Sequence, residues 1–356
     1  MEQKKALIGM SGGVDSSVAA WLMQQQGLEC VGATMRLWDK NPDGSISKDT
    51  EDARLVADRL GIRHCVLDFR KEFREKIIKA FTDSYEQGLT PNPCILCNKV
   101  MKFGLMLEAA QDLGCDYVVS GHYANVRRDP ETGRYLLCKA ADETKDQTYF
   151  LYRLSQDQLA HILFPLGDFT KSRARDIAEA NGLVTARKRD SQDICFIPGG
   201  DYVAFMESYL NKEYAPGAFL DLEGNVVGTH RGAVCYTVGQ RKGLGLAMGE
   251  PVYVCGKSME QNTVTVGPNQ VLFHNALVAG DWNWISMEAP SSPVRVTAKI
   301  RHSRNEFPAT VYPEEKGRAR VVFDEPVRAI SPGQAVVLYH GDVVVGGGTI
   351  LEAMDE

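Results

Sequence analysis

The sequence predicts an α/β protein in three parts. A Rossmann-like parallel-sheet domain is expected over residues 1–205, a small, mostly β central domain over 206–272, and a C-terminal antiparallel β-barrel over 273–356. Three observations predict this. Up to about residue 125, short apolar runs alternate with longer helical patterns, the mark of crossover units and a parallel sheet. After about residue 215 the chain turns to short alternating runs separated by glycine turns, as small antiparallel sheets and barrels require. A length of 356 residues also exceeds what one core usually organises, at roughly 100 to 200 residues per domain.

Taken in order, "ALIGM" reads as a strand and "SSVAAWLMQQQG" as a helix, followed by "CVGATMRL" and "DTEDARLVADRLG". "RHCVLDF" precedes "EFREKIIKAFTDSYEQG", and "KFGLMLEAAQDLG" precedes "CDYVVSGHY". Gly27, Gly61 and Gly114 each follow a helical run, where a residue with positive φ is wanted as a C-terminal cap. Residues 150–205 are helical and charged, "DLEGNVV" is a hairpin, and the runs from "VRVTAKIRHS" to "GDVVVGGGTI" supply barrel strands. In parallel sheets ligands sit beyond the carboxyl ends of the strands, where the loops starting at Gly9, Met35 and Gly121 fall.

Composition bounds the function. Hydrophobic residues make up 44% and charged residues 24%, with no apolar run near the roughly 18 residues of a membrane span. "MEQKKALIGM" enters a strand at once and leaves no room for an export signal, so a cytoplasmic protein is expected, with its nine cysteines reduced rather than paired. No surplus amphipathic helix or coiled-coil seam stands out, so a monomer is expected. The net charge of −6 does not favour a polyanion partner, but binding depends on local patches. Basic residues cluster at Arg187, Lys188 and Arg189, at His230 and Arg231, at Arg241 and Lys242, and from Arg295 to Arg304.

At the first strand-to-helix corner stand Gly9, Met10, Ser11, Gly12, Gly13, Val14, Asp15 and Ser16. A glycine turn at a helix N-terminus directs backbone N–H groups outward together, and the helix dipole favours an anion there. Asp15 is expected to cap the helix or to hold Mg2+ on the phosphates. There is no lysine for a Walker A loop, and Gly9, Ser11 and Val14 stand where a dinucleotide fingerprint wants three glycines.

Six cysteines, Cys30, Cys65, Cys115, Cys138, Cys235 and Cys255, lie in apolar strand-like text and are expected to pack as small hydrophobes. Cys94 and Cys97 in "TPNPCILCNKVMKF", and Cys195 in "RKRDSQDICFIPGG", sit differently. Cys97 precedes a helix-like run, where a lowered thiol pKa is expected, and Cys195 follows three basic residues. Cys97 and Cys195 are therefore the candidate reactive pair.

The glycine loop resembles the SGG-x-DS signature of the ATP pyrophosphatase loop family. "GMSGGVDSSV", "PNPCILCNKVMKF", "VSGHYANV", "KDQTYFLYRL", "RDSQDICFI", "YTVGQRKGLG" and "RHS" follow one another as in tRNA-specific 2-thiouridylases. The resemblance spans nearly the whole chain and implies ATP-dependent adenylation of the 2-oxygen of the wobble uridine, followed by replacement of that oxygen with sulfur. It implies ATP and Mg2+ as cofactors, with ATP held by Gly9 to Ser16, Met35 and Gly121. It further implies Cys97 as nucleophile and Cys195 as the persulfide carrier. Asn92, Pro93 and Cys94 would line the target-base pocket; His122, Lys145, Asp146, Gln147, Arg301, His302 and Gln334 would contact tRNA. The partners implied are tRNA, through its anticodon stem-loop, and a sulfur-relay protein or cysteine desulfurase as persulfide donor.

Where many relatives read "NPD", this chain reads "NPC", so Cys94 replaces a carboxylate that could act as acid or base. Cys94, Cys97 and Cys195 could instead hold three irons of a 4Fe-4S cluster that carries sulfide, or zinc together with His122. Two further readings are an ATP pyrophosphatase that forms a C–N bond and a non-catalytic RNA-binding sulfur carrier.

Overall fold

The computed structural model describes residues 3–39, 45–188, 194–197 and 199–356. Strand β1 (Lys5–Gly9) is fully buried at Ala6, Leu7 and Ile8, a near-continuous apolar run suited to a sheet covered on both faces. Leu7 packs into one apolar core while Ala6 and Ile8 pack into another, so the strand's alternation serves both sides. With β2 (Glu29–Arg36), β3 (Arg63–Asp68) and β4 (Tyr117–Val119) it begins a parallel sheet. The hairpin of β5 (Asn125–Arg128) and β6 (Tyr135–Cys138) leaves that sheet, and β7 (Ile162–Leu163) returns to complete the order β3-β2-β1-β4-β7.

Helix α1 (Val14–Gln25) covers one face through Val18, Ala19 and Met23. Helix α2 (Lys48–Leu60) starts at Ser47, whose side chain accepts from the Thr50 N–H, and ends at Gly61 in the left-handed conformation. Gly27, Gly61 and Gly114 all have positive φ, as their positions after helical runs require.

A four-stranded sheet follows, built from β8 (Gly217–Leu220), β9 (Val226–His230), β10 (Tyr253–Ser258) and β11 (Thr263–Gly267). Its apolar side is not self-contained. Phe219, Val234, Val254 and Val264 share one core with Phe73, Phe81, Cys97 and Phe196 of the first part.

Strands β12 (Phe273–Trp284), β13 (Val294–Lys299), β14 (Phe307–Pro313), β15 (Ala319–Arg328), β16 (Ala335–His340) and β17 (Val343–Met354) form the last unit. All their pairings are antiparallel, and the β12–β17 pairing closes the barrel. The β5–β6 hairpin joins this barrel's sheet rather than the parallel one. Cys138 pairs with Val343, the Lys139 N–H donates to the Asp342 carbonyl, and Arg127 forms an ion pair with Asp342. Among the described residues, no helix is long and apolar enough to cross a membrane.

Candidate active site

The glycine corner folds as a tight turn whose polar groups are locally tied. The Met10 N–H donates to the Ala33 carbonyl at 2.8 Å, and the Thr34 hydroxyl donates to the Met10 carbonyl at 2.8 Å, fixing the loop to β2. The Ser11 N–H donates to Ser16 Oγ at 3.2 Å, while the Ser16 and Ser17 hydroxyls both donate to the Gly13 carbonyl. Gly13 caps α1 without any side-chain hydrogen bond, which leaves first-turn N–H groups to an anion.

Two glycines are dictated by close approach. Gly12 has φ +70°, and a Cβ there would lie 2.0 Å from the Asp49 carbonyl oxygen. A Cβ on Gly121 would stand 2.7 Å from the carbonyl carbon of Asp15 and 2.8 Å from the Ser16 nitrogen. The loop after β4 is thus pressed against the start of α1, and Met35 lies one residue before the end of β2, the strand beside β1.

Asp15 does not cap the helix, contrary to one of the two roles its position suggested. Its carboxylate takes the Lys171 ammonium on both oxygens, at 2.7 and 2.8 Å, and accepts from the Tyr123 hydroxyl at 2.9 Å. A magnesium ligand at a phosphate site offers its oxygens to the ion; here they are engaged, so Asp15 as arranged does not fit that role. Lys188 approaches from the other side. Its ammonium donates to the Gly12 carbonyl at 2.9 Å and pairs with Asp49 at 2.8 Å and Asp52 at 2.6 Å. Lys171 and Lys188 were missed as site residues, because nothing local in the sequence links them to a loop more than 150 residues earlier. Arg189, from the same basic cluster, lies outside the described residues.

The second half of the site is the helix Pro93–Cys97. Asn92 caps it by accepting from the Cys94 N–H at 3.2 Å, and Pro93 fills the first helical position, where a missing N–H costs nothing. This corrects the expected setting of Cys97. It does not precede the helix but ends it, leading into the π-helix Asn98–Leu105. Cys97 is 7% exposed, and burial pushes its thiol up to about 12; Lys102 pulls the other way with less effect. The first-turn place belongs to Cys94, which is exposed but set in crowded surroundings, where desolvation also raises its thiol.

Cys195 is exposed and comes to the same place. Its neighbours Phe196 and Ile197 are buried in the core that contains Cys97, with Phe196 packed edge-on against Phe73 and Phe81 at 5.5 and 5.4 Å. Cys94 and Cys195 both lie close enough to Cys97 to act on its charge. Sequence positions 94, 97 and 195 are thus brought into one region of the fold. Among the described residues, no three His, Cys, Asp or Glu side chains are arranged to hold a metal ion. The six cysteines expected to pack are buried or half-buried.

His122 is buried. Its Nδ1 lies 2.6 Å from the Ser120 hydroxyl and its Nε2 3.4 Å from the Lys102 ammonium. Lysine can only donate, so Nε2 accepts and the proton sits on Nδ1. Burial, and then Lys102, hold the ring neutral well below the usual histidine range.

Of the residues assigned to RNA by resemblance, Arg301 and His302 are exposed, Lys145, Gln147 and Gln334 are half-buried, and Asp146 is buried. Asp146 accepts from the Ala140 N–H at 3.1 Å and the Thr148 hydroxyl at 2.7 Å, and Gln147 accepts from the Tyr123 N–H at 2.9 Å. The His302 ring lies 4.4 Å from that of Phe150, whose carbonyl accepts from the Asn98 side chain. The Gln334 side chain donates to the Thr90 carbonyl at 2.8 Å, just before Asn92. The barrel thereby braces the segment before the thiol helix through Gln334 and packs His302 on Phe150, which holds Asn98 just after it.

Three family models cover this chain. Residues 4–199 match the model described as a tRNA methyl transferase HUP domain, 203–268 its PRC-barrel domain, and 274–350 an aminomethyltransferase beta-barrel domain. The tRNA-specific 2-thiouridylase MnmA of Acetivibrio thermocellus is 49% identical over 98% of this chain and 100% of its own length. The proteins of the same name from Clostridioides difficile and Clostridium perfringens are each 47% identical, over 99% and 98% of this chain and 99% of their own lengths.

The chain belongs to the tRNA-specific 2-thiouridylase family.

In this thiouridylase the buried Cys97 predicts a specific pH response. A thiol raised to about 12 is almost wholly protonated at neutral pH, and its thiolate fraction grows about tenfold per pH unit below that value. Alkylation of Cys97 by iodoacetamide, followed by peptide mass spectrometry, is expected to climb at that slope from pH 7 to pH 10. A plateau near pH 8.5 to 9, where ordinary thiols level off, would show that burial does not control it.

Proposed function

We propose that this chain replaces the 2-oxygen of the wobble uridine of tRNA with sulfur, with Cys195 carrying the sulfur as a persulfide and Cys97 as the nucleophile that releases it. The observation that carries this reading is that Cys195 comes close enough to Cys97 to act on its charge, in a chain whose first strand opens into a glycine loop shaped for phosphates. The loop and the thiols supply adenylation and sulfur, neither of which a methyl transfer consumes.

A uridine carbonyl is a weak electrophile with a poor leaving group. The loop from Gly9 to Ser16, with Met35 and Gly121 beside it, holds ATP so that the uracil 2-oxygen takes AMP and pyrophosphate departs. Asp15 acts through Lys171 and Lys188 through the Gly12 carbonyl, both stiffening the loop. Mg2+ arrives on the phosphates rather than on Asp15. The terminal sulfur of the Cys195 persulfide then attacks C2 and expels AMP. Cys97 attacks Cys195 Sγ, the persulfide S–S bond breaks, the thiocarbonyl is released, and a Cys97–Cys195 disulfide remains. A direct attack by Cys97 on the persulfide, freeing sulfide for C2, leaves the same disulfide. A 4Fe-4S cluster held by Cys94, Cys97 and Cys195 as sulfide carrier is the second reading of the same three thiols.

Asn92, Pro93 and Cys94 line the pocket for the flipped base, since a stacked base cannot reach a recessed site. Lys145, Gln147, Arg301, His302 and Gln334 contact the tRNA, with His122 and Asp146 set behind them. The functional division is the adenylation part at 1–205, a central part at 206–272 and the barrel at 273–356. The protein works as a cytoplasmic monomer, loaded by a sulfur-relay protein or cysteine desulfurase. The deciding experiment is mass spectrometry of nucleosides from tRNA incubated with protein, ATP and sulfide or a persulfide donor. Thiouridine confined to the wobble position is expected. Unchanged nucleosides with a competent donor would refute the assignment.

A further inference from the structure

We propose that Cys94 is a resolving thiol: it attacks Cys97 in the Cys97–Cys195 disulfide left by sulfur transfer, moves the disulfide into the Cys94–Cys97 pair, and returns Cys195 as a thiolate ready for reloading. This rests on the persulfide route above. It gives Cys94 a role that neither a lost carboxylate nor a cluster ligand describes.

The placement comes from the helix Pro93–Cys97. Residues three apart on a helix face the same side, and their Cα atoms stand about 5 Å apart, within the range a disulfide spans. The Asn92 cap and Pro93 fix the first turn, so Cys94 is held in place rather than carried on a loose loop. Cys94 is exposed and acts electrostatically on Cys97, as does Cys195. Cys94 and Cys97 thus stand within disulfide reach on one helix, and Cys195 is tied to the same core through its neighbours Phe196 and Ile197.

The direction of exchange follows from burial. Attack by the Cys94 thiolate on Cys97 Sγ forms the Cys94–Cys97 bond, breaks the Cys97–Cys195 bond and expels Cys195, which is exposed and whose charge water can solvate. Attack on Cys195 instead would expel Cys97 as a thiolate in an apolar core, where burial disfavours the charge. No electrons enter or leave in the exchange; one thiolate and one disulfide become another of each. An external dithiol then reduces the Cys94–Cys97 bond through its exposed Cys94 side, itself becoming a disulfide. Cys195 is free to receive sulfur while that reduction is pending.

The test uses the full-length chain, persulfidated, with tRNA and ATP but no added reductant, for a single turnover. The reaction is quenched in acid, free thiols are alkylated, and peptides and nucleosides are read by mass spectrometry. The expected result is thiouridine together with alkylated Cys195 and an unalkylated peptide bearing Cys94 and Cys97 that is two hydrogens lighter than its dithiol form. In Cys94→Ser, whatever its rate, the linkage formed alongside thiouridine is expected to stay between Cys97 and Cys195. If the wild-type chain makes thiouridine but retains a Cys97–Cys195 cross-link with Cys94 alkylated, the resolving role is wrong and the persulfide route stands. If thiouridine forms with no disulfide at all, both fall.

Discussion

Replacing Cys195 by serine is expected to abolish thiolation while leaving ATP- and tRNA-dependent pyrophosphate release in place. The serine hydroxyl cannot carry a terminal sulfur, so the loss is that of a covalent carrier, at least about a thousandfold in thiouridine formed per unit time. In the proposed mechanism adenylation precedes sulfur transfer and draws on the loop between Gly9 and Ser16, whose own hydrogen bonds run among Ser11, Gly13, Ser16 and Ser17. The variant also isolates chemistry from folding, because Cys195 is exposed and a hydroxyl there stays solvated. Cys97→Ser should lose activity to a similar extent, but it places a hydroxyl in an apolar core at a cost of about 1–3 kcal/mol, so its melting must be measured beside it. Thiouridine within tenfold of wild type in Cys195→Ser would remove the persulfide from the mechanism.

The second large effect is expected from Gly12→Ala. A left-handed conformation costs a residue with a Cβ about 1–2 kcal/mol by itself. The added carbon would also meet the Asp49 carbonyl oxygen at 2.0 Å, its carbon at 2.8 Å and its Cα at 3.0 Å, all of them backbone. No side-chain rotation relieves that, so the start of α2 or the loop itself must move, and with it the Gly12 carbonyl that Lys188 holds. A total loss above about 3 kcal/mol is expected, with ATP affinity falling at least about tenfold. Gly27→Ala is the matched control, since Gly27 has φ +83° but nothing within 4 Å of its would-be Cβ, and should cost only about 1–2 kcal/mol. Denaturant unfolding and ATP titration of the two variants decide the matter: equal losses would mean that the close approach to Asp49 carries no weight.

What could be read in the chain was what its neighbours along the chain determine. The glycine corner, the helix-ending Gly27, Gly61 and Gly114, and the switch from helical to alternating text are all local patterns, and each is found where the pattern put it. The setting of Cys97 differs from the expected one although a local signal exists: Asn92 followed by Pro93 is a cap and a first helical residue, which starts the helix before Cys97 rather than after it. Its raised thiol was not legible at all, because the burying side chains Phe73, Phe81 and Phe196 come from separate segments. The same holds for Asp15. Its partners Lys171 and Tyr123 are set by tertiary contact, so a carboxylate that reads as a cap or metal ligand becomes the centre of an ion pair. Asp146, assigned to tRNA by the resemblance, is buried as an internal acceptor for Ala140 and Thr148.

The hairpin of β5 and β6 has a bearing on how the chain is made. During synthesis it emerges roughly 200 residues before its partner strand β17, and in that interval β6 presents an unpaired edge. The β5–β6 hairpin therefore cannot reach its final pairing as the ribosome delivers it. A truncation that removes the barrel should leave a species prone to association through that edge, so the last strand synthesised is also the one that completes a region translated in the first half of the chain.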